Sequence, residues 1–211
     1  VLKHVDGIIA VTENIKKLMI RLGIPAHKIL VRSTGANPEM FETLSSQQAI
    51  RKQLKIPRNS PIVLYIGSLY PYKGADLVLM AFKRAYEKVP NAKLLVVGGL
   101  KREKDIAQTR KFIDDIKLHD SVILTGYVPY YKVPNYIKTA DVAVFAPPRD
   151  FYTEYCGESI KVWQYMAAGK PIIASKLKSL EEALKNEENS LLVPPSNVKE
   201  LGDAITRLIK D

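Results

Sequence analysis

The sequence predicts an α/β protein: one parallel sheet of about six strands, doubly wound, with helices on both faces. Three observations carry that reading. The strand-length apolar runs are continuous rather than alternating, as strands buried on both faces require. Amphipathic stretches of helical length lie between them, so strand and helix take turns along the chain. And 46% of the 211 residues are apolar, enough for a sizeable core in one large domain, or in one domain plus a fragment of another.

The first elements read as one βαβ unit. Gly7-Ile-Ile-Ala-Val-Thr12 is strand-like, Glu13 to Leu22 is amphipathic and stopped by Gly23 and Pro25, and Ile29-Leu-Val-Arg32 is strand-like again. Turn residues from Thr34 onward break the pattern, so residues 34–60 are expected to be a hinge or linker. The main body, 61–211, then alternates regularly. Ile62–Ile66 precedes a helix over Ala75–Lys88, Lys93–Val97 one over Glu103–Lys117, and Val122–Thr125 one over Pro134–Thr139. Val142–Phe145 leads into a long loop, 146–157, and then into a helix carrying Lys161. Pro171–Ala174, a helix near Leu180–Asn186, Ser190–Val193 and a last helix from Val198 complete the series. This is a Rossmann-like arrangement, and its ligands are expected at the carboxyl ends of the strands.

Composition narrows the chemistry. Thirty-two Lys and Arg against 22 Asp and Glu leave a net charge of +10, which favours anionic partners such as nucleic acid, an acidic membrane surface or phosphorylated small molecules. A single Cys156 excludes an internal disulfide framework, and three scattered His form no ligand pattern, so no metal site is expected. No apolar run approaches the roughly 18–20 residues that span a bilayer, and no signal peptide opens the chain, so the expectation is a soluble, cytoplasmic protein. A start without Met, running straight into a strand, reads as a piece of something longer.

Chemistry concentrates at the strand ends. Gly67-Ser-Leu-Tyr-Pro-Tyr-Lys73-Gly74 joins a strand to a helix; its glycines let the backbone approach a phosphate, and Lys73 stands where it meets that charge. It is not a P-loop, and no Gly-x-Gly-x-x-Gly follows any strand, which argues against a dehydrogenase. Gly98 and Gly126 close neighbouring strands, where glycine keeps a crevice open. The twelve-residue connection 146–157 is longer than a structural loop needs to be. Lys161 follows it near the start of a helix, where the dipole already favours negative charge, an arrangement that makes sense if both face an anion.

Gly67-x-Leu69-x-x-x-Lys73-Gly74, Val97-Gly98, Gly126-x-Val128, Ala140-Asp141-Val142 and Ser159-x-Lys161-x-x-x-Tyr165-Met166-Ala167-x-Gly169-Lys170-Pro171 together resemble the donor-binding domain of glycosyltransferase family 4, whose enzymes have the two-domain GT-B architecture. The resemblance covers nearly the whole chain. Residues 1–33 resemble the last βαβ of the N-terminal, acceptor domain, and 34–60 its hinge. It implies retaining transfer of a sugar from a nucleoside-diphosphate-sugar to a carbohydrate or lipid-linked acceptor, with no cofactor, no metal and no nucleic acid. It also implies a full-length protein peripherally associated with the inner face of the membrane.

Carried over by position, Gly67, Ser68 and Lys73 would contact the diphosphate from one side, and Gly157, Ser159 and Lys161 from the other. Gly98 would keep the crevice open, Gly126, Tyr127 and Val128 would hold the base, and Gln164 would meet the ribose. Fixed cations and a helix N-terminus would stabilise the charge that develops on the leaving group. Three positions depart from the family: Ser68 stands where Arg is usual, and Gln164 and Cys156 each stand where Glu is usual. Gln164 still offers one acceptor oxygen, and Glu154 or Glu158, flanking Cys156, is expected to take over the donor sugar. With the rest of the acceptor domain and the family's closing C-terminal helix missing, the chain is expected to bind donor without transferring sugar, and residues 1–33 to pack abnormally. The competing readings are a sugar epimerase of the same architecture and a non-catalytic nucleotide- or nucleic-acid-binding module.

Overall fold

The structure, a computed structural model, describes residues 4–42, 47–69, 73–99, 103–155 and 160–210, with 103–105 and 151 described by their backbone alone. The N-terminal unit is β1 (Ile8–Ala10), α1 (Glu13–Arg21) and β2 (Ile29–Val31). Its two strands pair in parallel, Ile9 opposite Leu30. Ala10, Ile24 and Ile29 form a small core of their own, while Ile9 and Leu30 lie exposed on the other face. Thr12 begins α1, its hydroxyl accepting from the Ile15 amide, as an N-cap does.

The expected hinge is more structured than its composition suggests. A 3-10 turn over Pro38–Phe41 and α2 (Gln47–Gln53) occupy it, and Phe41, Ile50 and Ile56 enter the main core. Around α2 only Ile50 and Leu54 share a helical spacing, too short a stripe to predict a helix, yet Phe41, Ile50 and Ile56 are buried in the core that α5 and α7 line.

The main body holds β3 (Ile62–Ile66), α3 (Ala75–Lys88), β4 (Lys93–Val97), α4 (Glu103–Asp115), β5 (Val122–Leu124), α5 (Val133–Thr139), β6 (Val142–Phe145), α6 (Phe151–Tyr155), α7 (Ile160–Ala167), β7 (Ile172–Ser175), β8 (Leu191–Val193) and α8 (Val198–Lys210). Six parallel strands run in the order β5-β4-β3-β6-β7-β8. Alternate residues go to opposite faces, as the period of two in a strand demands. Val63, Tyr65, Leu94, Val96, Val142 and Val144 pack with residues of α3 and α8. Ile62, Leu64, Leu95, Val97 and Ala143 pack with residues of α5 and α7. Two apolar faces make each strand continuously apolar. This is the predicted doubly wound α/β fold.

Two stretches differ from expectation. Where a helix was predicted over Leu180–Asn186, the chain makes a 3-10 turn at Lys178–Leu180 and then turns. Asn186 Oδ1 accepts from the Leu192 amide, and Asn189 bridges the Lys185 amide and the Ala183 carbonyl, so side-chain amides compete successfully with the helical backbone. The predicted loop 146–157 contains α6. Among the described residues no helix is long and apolar enough to cross a membrane.

Candidate functional site

The strand order reverses between β3, whose crossover leads to β4, and β6, whose chain goes on to β7. The loops leaving β3 and β6 therefore diverge and open a crevice at their carboxyl ends. After β3, Tyr65 pins its own loop: its hydroxyl donates to the Ser68 carbonyl at 3.0 Å, with the Lys73 carbonyl at 3.4 Å. Gly74 follows with φ of 76°, and a Cβ there would lie 2.4 Å from the Ala146 carbonyl oxygen. Only glycine lets the start of α3 press against the end of β6, and this contact brings Lys73 to the β6 loop.

The β6 loop is strapped down in turn. Ser175 of β7 donates its hydroxyl to the Pro147 carbonyl at 2.8 Å. Asp150 and Thr153 exchange bonds: the Thr153 amide donates to Asp150 Oδ1 at 2.7 Å, and the Asp150 amide to Thr153 Oγ1 at 2.9 Å. That reciprocal pair starts α6 as a capping box starts a helix. Ser179 ties the other side, donating to the Thr153 carbonyl at 2.6 Å.

Between these loops lies a cavity of about 290 Å³. The β3 side supplies Tyr65 to Ser68 and Lys73, the β6 side Phe145, Pro147, Tyr152 and Thr153, and α7 supplies Ile160 and Lys161. No carboxylate is among the described lining residues. Lys161 is held below the ordinary lysine range, chiefly by burial and then by the charge of Lys73. Each ammonium faces a ring: Lys73 Nζ is 5.8 Å from the Tyr152 centroid, and Lys161 Nζ is 5.8 Å from that of Phe145. Two cations converging on one cavity can receive a compact polyanion.

Of the residues singled out from sequence, Gly67, Ser68, Lys73 and Lys161 meet in this cavity. Gly98 and Gly126 lie beside it, bridged by the Gly98 amide donating to the Gly126 carbonyl at 3.1 Å. A Cβ on Gly98 would come within 2.7 Å of the Gly67 carbonyl oxygen, so the glycines close three neighbouring strand ends tightly. Tyr127 is exposed and Val128 packs partly against the core. Gln164 is buried and donates Nε2 to the Tyr130 hydroxyl at 3.2 Å, outside the cavity lining. Glu154, expected on the donor sugar, does not line the cavity either: its carboxylate faces Arg149 Nε at 3.4 Å, because α6 turns Tyr152 inward and Glu154 towards the arginine. Gly157, Glu158 and Ser159, with Cys156, fall outside the described residues. Sequence reasoning passed over Tyr152, Thr153, Phe145 and Pro147. Asp150-x-x-Thr153 was the signal for α6, but nothing in the sequence orients Tyr152.

Residues 46–211 match the family described as Glycosyl transferases group 1. The chain is 26% identical to an uncharacterized glycosyltransferase of Methanocaldococcus jannaschii, over 97% of this chain and 51% of that protein. In general it spans about half the length of the curated relatives it matches. Its fold superposes on the crystal structure of Anabaena HepE in complex with UDP-glucose with a TM-score of 0.84, at 21% identity, covering all of this chain and 56% of that one. It also superposes on the C-terminal domain of a group 1 glycosyl transferase (LpcC) of Francisella tularensis, with a TM-score of 0.68 at 21% identity, covering 84% of this chain and 89% of that one.

Proposed function

The chain belongs to the group 1 glycosyl transferases, and from that premise we propose that it is the donor-binding part of a retaining, family 4 hexosyltransferase that uses a nucleoside-diphosphate-sugar. The observation that carries the reading is the convergence of Lys73 and Lys161, from the β3 loop and α7, on one cavity. A nucleoside diphosphate gains negative charge as the glycosidic bond breaks, and two preorganised cations stabilise that charge without a metal. HepE was solved with UDP-glucose, which supports a nucleotide sugar as ligand here. Gly98, Gly126, Tyr127 and Val128 then flank the base, Gln164 with Tyr130 the ribose, and the acceptor, a glycan or lipid-linked sugar, is met by the rest of a longer protein.

The test is a thermal-shift panel of nucleoside diphosphates and nucleotide sugars, with and without EDTA. At 100 times Kd a ligand adds about 2.7 kcal/mol, a rise in Tm of several degrees for a domain of this size. At least one nucleoside diphosphate is expected to give that rise, unchanged by the chelator. No stabilisation by any of them removes the reading.

A further inference from the structure

We propose that Tyr65 is a positioning residue of the anion site: its hydroxyl sets the β3–α3 loop that carries Lys73, and it acts on the anion through Lys73. The proposal rests on reading this cavity as an anion site. It begins from the chemistry of one strand. β3 reads Ile-Val-Leu-Tyr-Ile and runs through the middle of the sheet, with Tyr65 paired to Val96 of β4 and Val144 of β6. Tyr65 is 4% exposed and belongs to the apolar core. A hydroxyl buried there costs stability unless it is hydrogen-bonded, and a phenylalanine would fill the same space without that cost. The Tyr65 hydroxyl is directed at the loop, with the Ser68 carbonyl at 3.0 Å and the Lys73 carbonyl at 3.4 Å. One oxygen therefore meets the loop both where it leaves the strand and where it enters α3.

Gly67 supplies a second observation. A Cβ there would lie 3.3 Å from the Tyr65 hydroxyl oxygen and 3.5 Å from the ring carbon that bears it, so the loop starts directly over the phenol. That start is also fixed from β4, the Gly67 amide donating to the Val97 carbonyl at 2.9 Å. Gly67, Ser68 and Lys73 all line the cavity, so a post rooted in the sheet sets three residues of its wall. A lysine whose backbone is fixed before the anion arrives binds without first having to order its loop.

The experiment uses the whole 211-residue protein and inorganic pyrophosphate, a base-independent probe, with binding read by phosphorus NMR so that millimolar affinities remain measurable. The parent, Tyr65→Phe, Lys73→Ala and the double variant form a cycle. Tyr65→Phe keeps the ring and is expected to lower pyrophosphate affinity roughly two- to fivefold, within the worth of one hydrogen bond, with Tm little changed. In the Lys73→Ala background the same change is expected to have no effect. Undiminished affinity in Tyr65→Phe, beside a loss in Lys73→Ala, overturns the positioning role and leaves the anion site standing. Equal loss with and without Lys73 means that the hydroxyl acts by another route, direct contact with the anion or a loosened fold, and overturns it as well. If the parent itself does not bind pyrophosphate, the anion-site reading falls and takes the proposal with it.

Discussion

Lys161 is a liability to the empty protein. Burial, and then Lys73, hold its pKa below the ordinary 10.5, so between the lowered value and 10.5 the unfolded chain binds more protons than the folded one. Stability therefore rises with pH across that window, and the full penalty applies below it. Lys161→Met, which keeps the apolar stem, is expected to raise the Tm of the ligand-free protein at pH 7 by a few degrees, and the gain should shrink as pH climbs towards 10.5. Thermal denaturation at pH 7 and pH 10 checks this, and a lowered Tm at pH 7 would contradict it. With ligand the sign reverses. Lys73→Ala and Lys161→Ala are each expected to weaken nucleoside diphosphate binding by about 1.5–3 kcal/mol, the range for hydrogen bonds to charged groups, and to leave nucleoside binding alone. Equal diphosphate affinity in calorimetry would remove the residue concerned from the site. Gln164, tied to Tyr130, is expected to carry ribose recognition. Gln164→Ala should lose the preference for ribo- over deoxyribonucleotides, and a preserved preference would take it out of the site.

Elements decide how these side chains are aimed. Asp150→Ala removes one half of the exchange that starts α6 and is expected to cost about 1 kcal/mol, the usual value of a lost cap. Because α6 also delivers Tyr152 and Thr153 to the cavity, the same change is expected to weaken diphosphate binding, and calorimetry beside a denaturant titration separates the two losses. Gly74→Ala should do more damage: it combines a left-handed φ with a 2.4 Å contact to the Ala146 carbonyl, so unfolding free energy is expected to fall by at least ~2 kcal/mol. The sheet was legible in the sequence because strands buried on both faces are continuously apolar, and Gly67, Lys73 and Lys161 because they follow strands at the switch point. What escaped was set by side-chain competition and by packing at a distance. Asn186 and Asn189 displaced a helix that Leu180 to Asn186 suggested by pattern. Phe41 and Ile50 are core residues only because α5 and α7 happen to receive them. Glu154 lies against Arg149 and outside the described cavity lining, a placement that sequence alone does not reveal.

At the scale of the whole molecule two bodies of unequal cohesion meet. The β1–α1–β2 unit keeps its own small core, and α1 buries no residue. Among the described residues, hydrogen bonds tie it to the main body: Thr12 Oγ1 donates to the Tyr155 carbonyl at 3.5 Å, the Glu13 amide to Glu182 at 3.2 Å, and Asn14 Nδ2 to the Lys178 carbonyl at 2.9 Å. Few buried apolar contacts mean a low local opening energy. Native-state hydrogen exchange is therefore expected to find the β1–β2 amides opening well below the free energy that protects β3, β4 and β6, and equal protection would mean one cooperative unit. The described lining of the crevice, by contrast, comes from β3 to α7, inside the more cohesive body. The resemblance places acceptor handling largely in an N-terminal domain, and this chain spans about half the length of its curated relatives. The 211-residue chain by itself is accordingly expected to bind a nucleoside diphosphate with two lysines and no divalent ion, and to transfer no sugar. Radiolabelled donors incubated with lipid and glycan acceptors test the second half, and calorimetry in EDTA tests the first. Sugar transfer by the isolated chain would place the acceptor machinery within these residues, and binding abolished by the chelator would require a metal where only ammonium groups have been invoked.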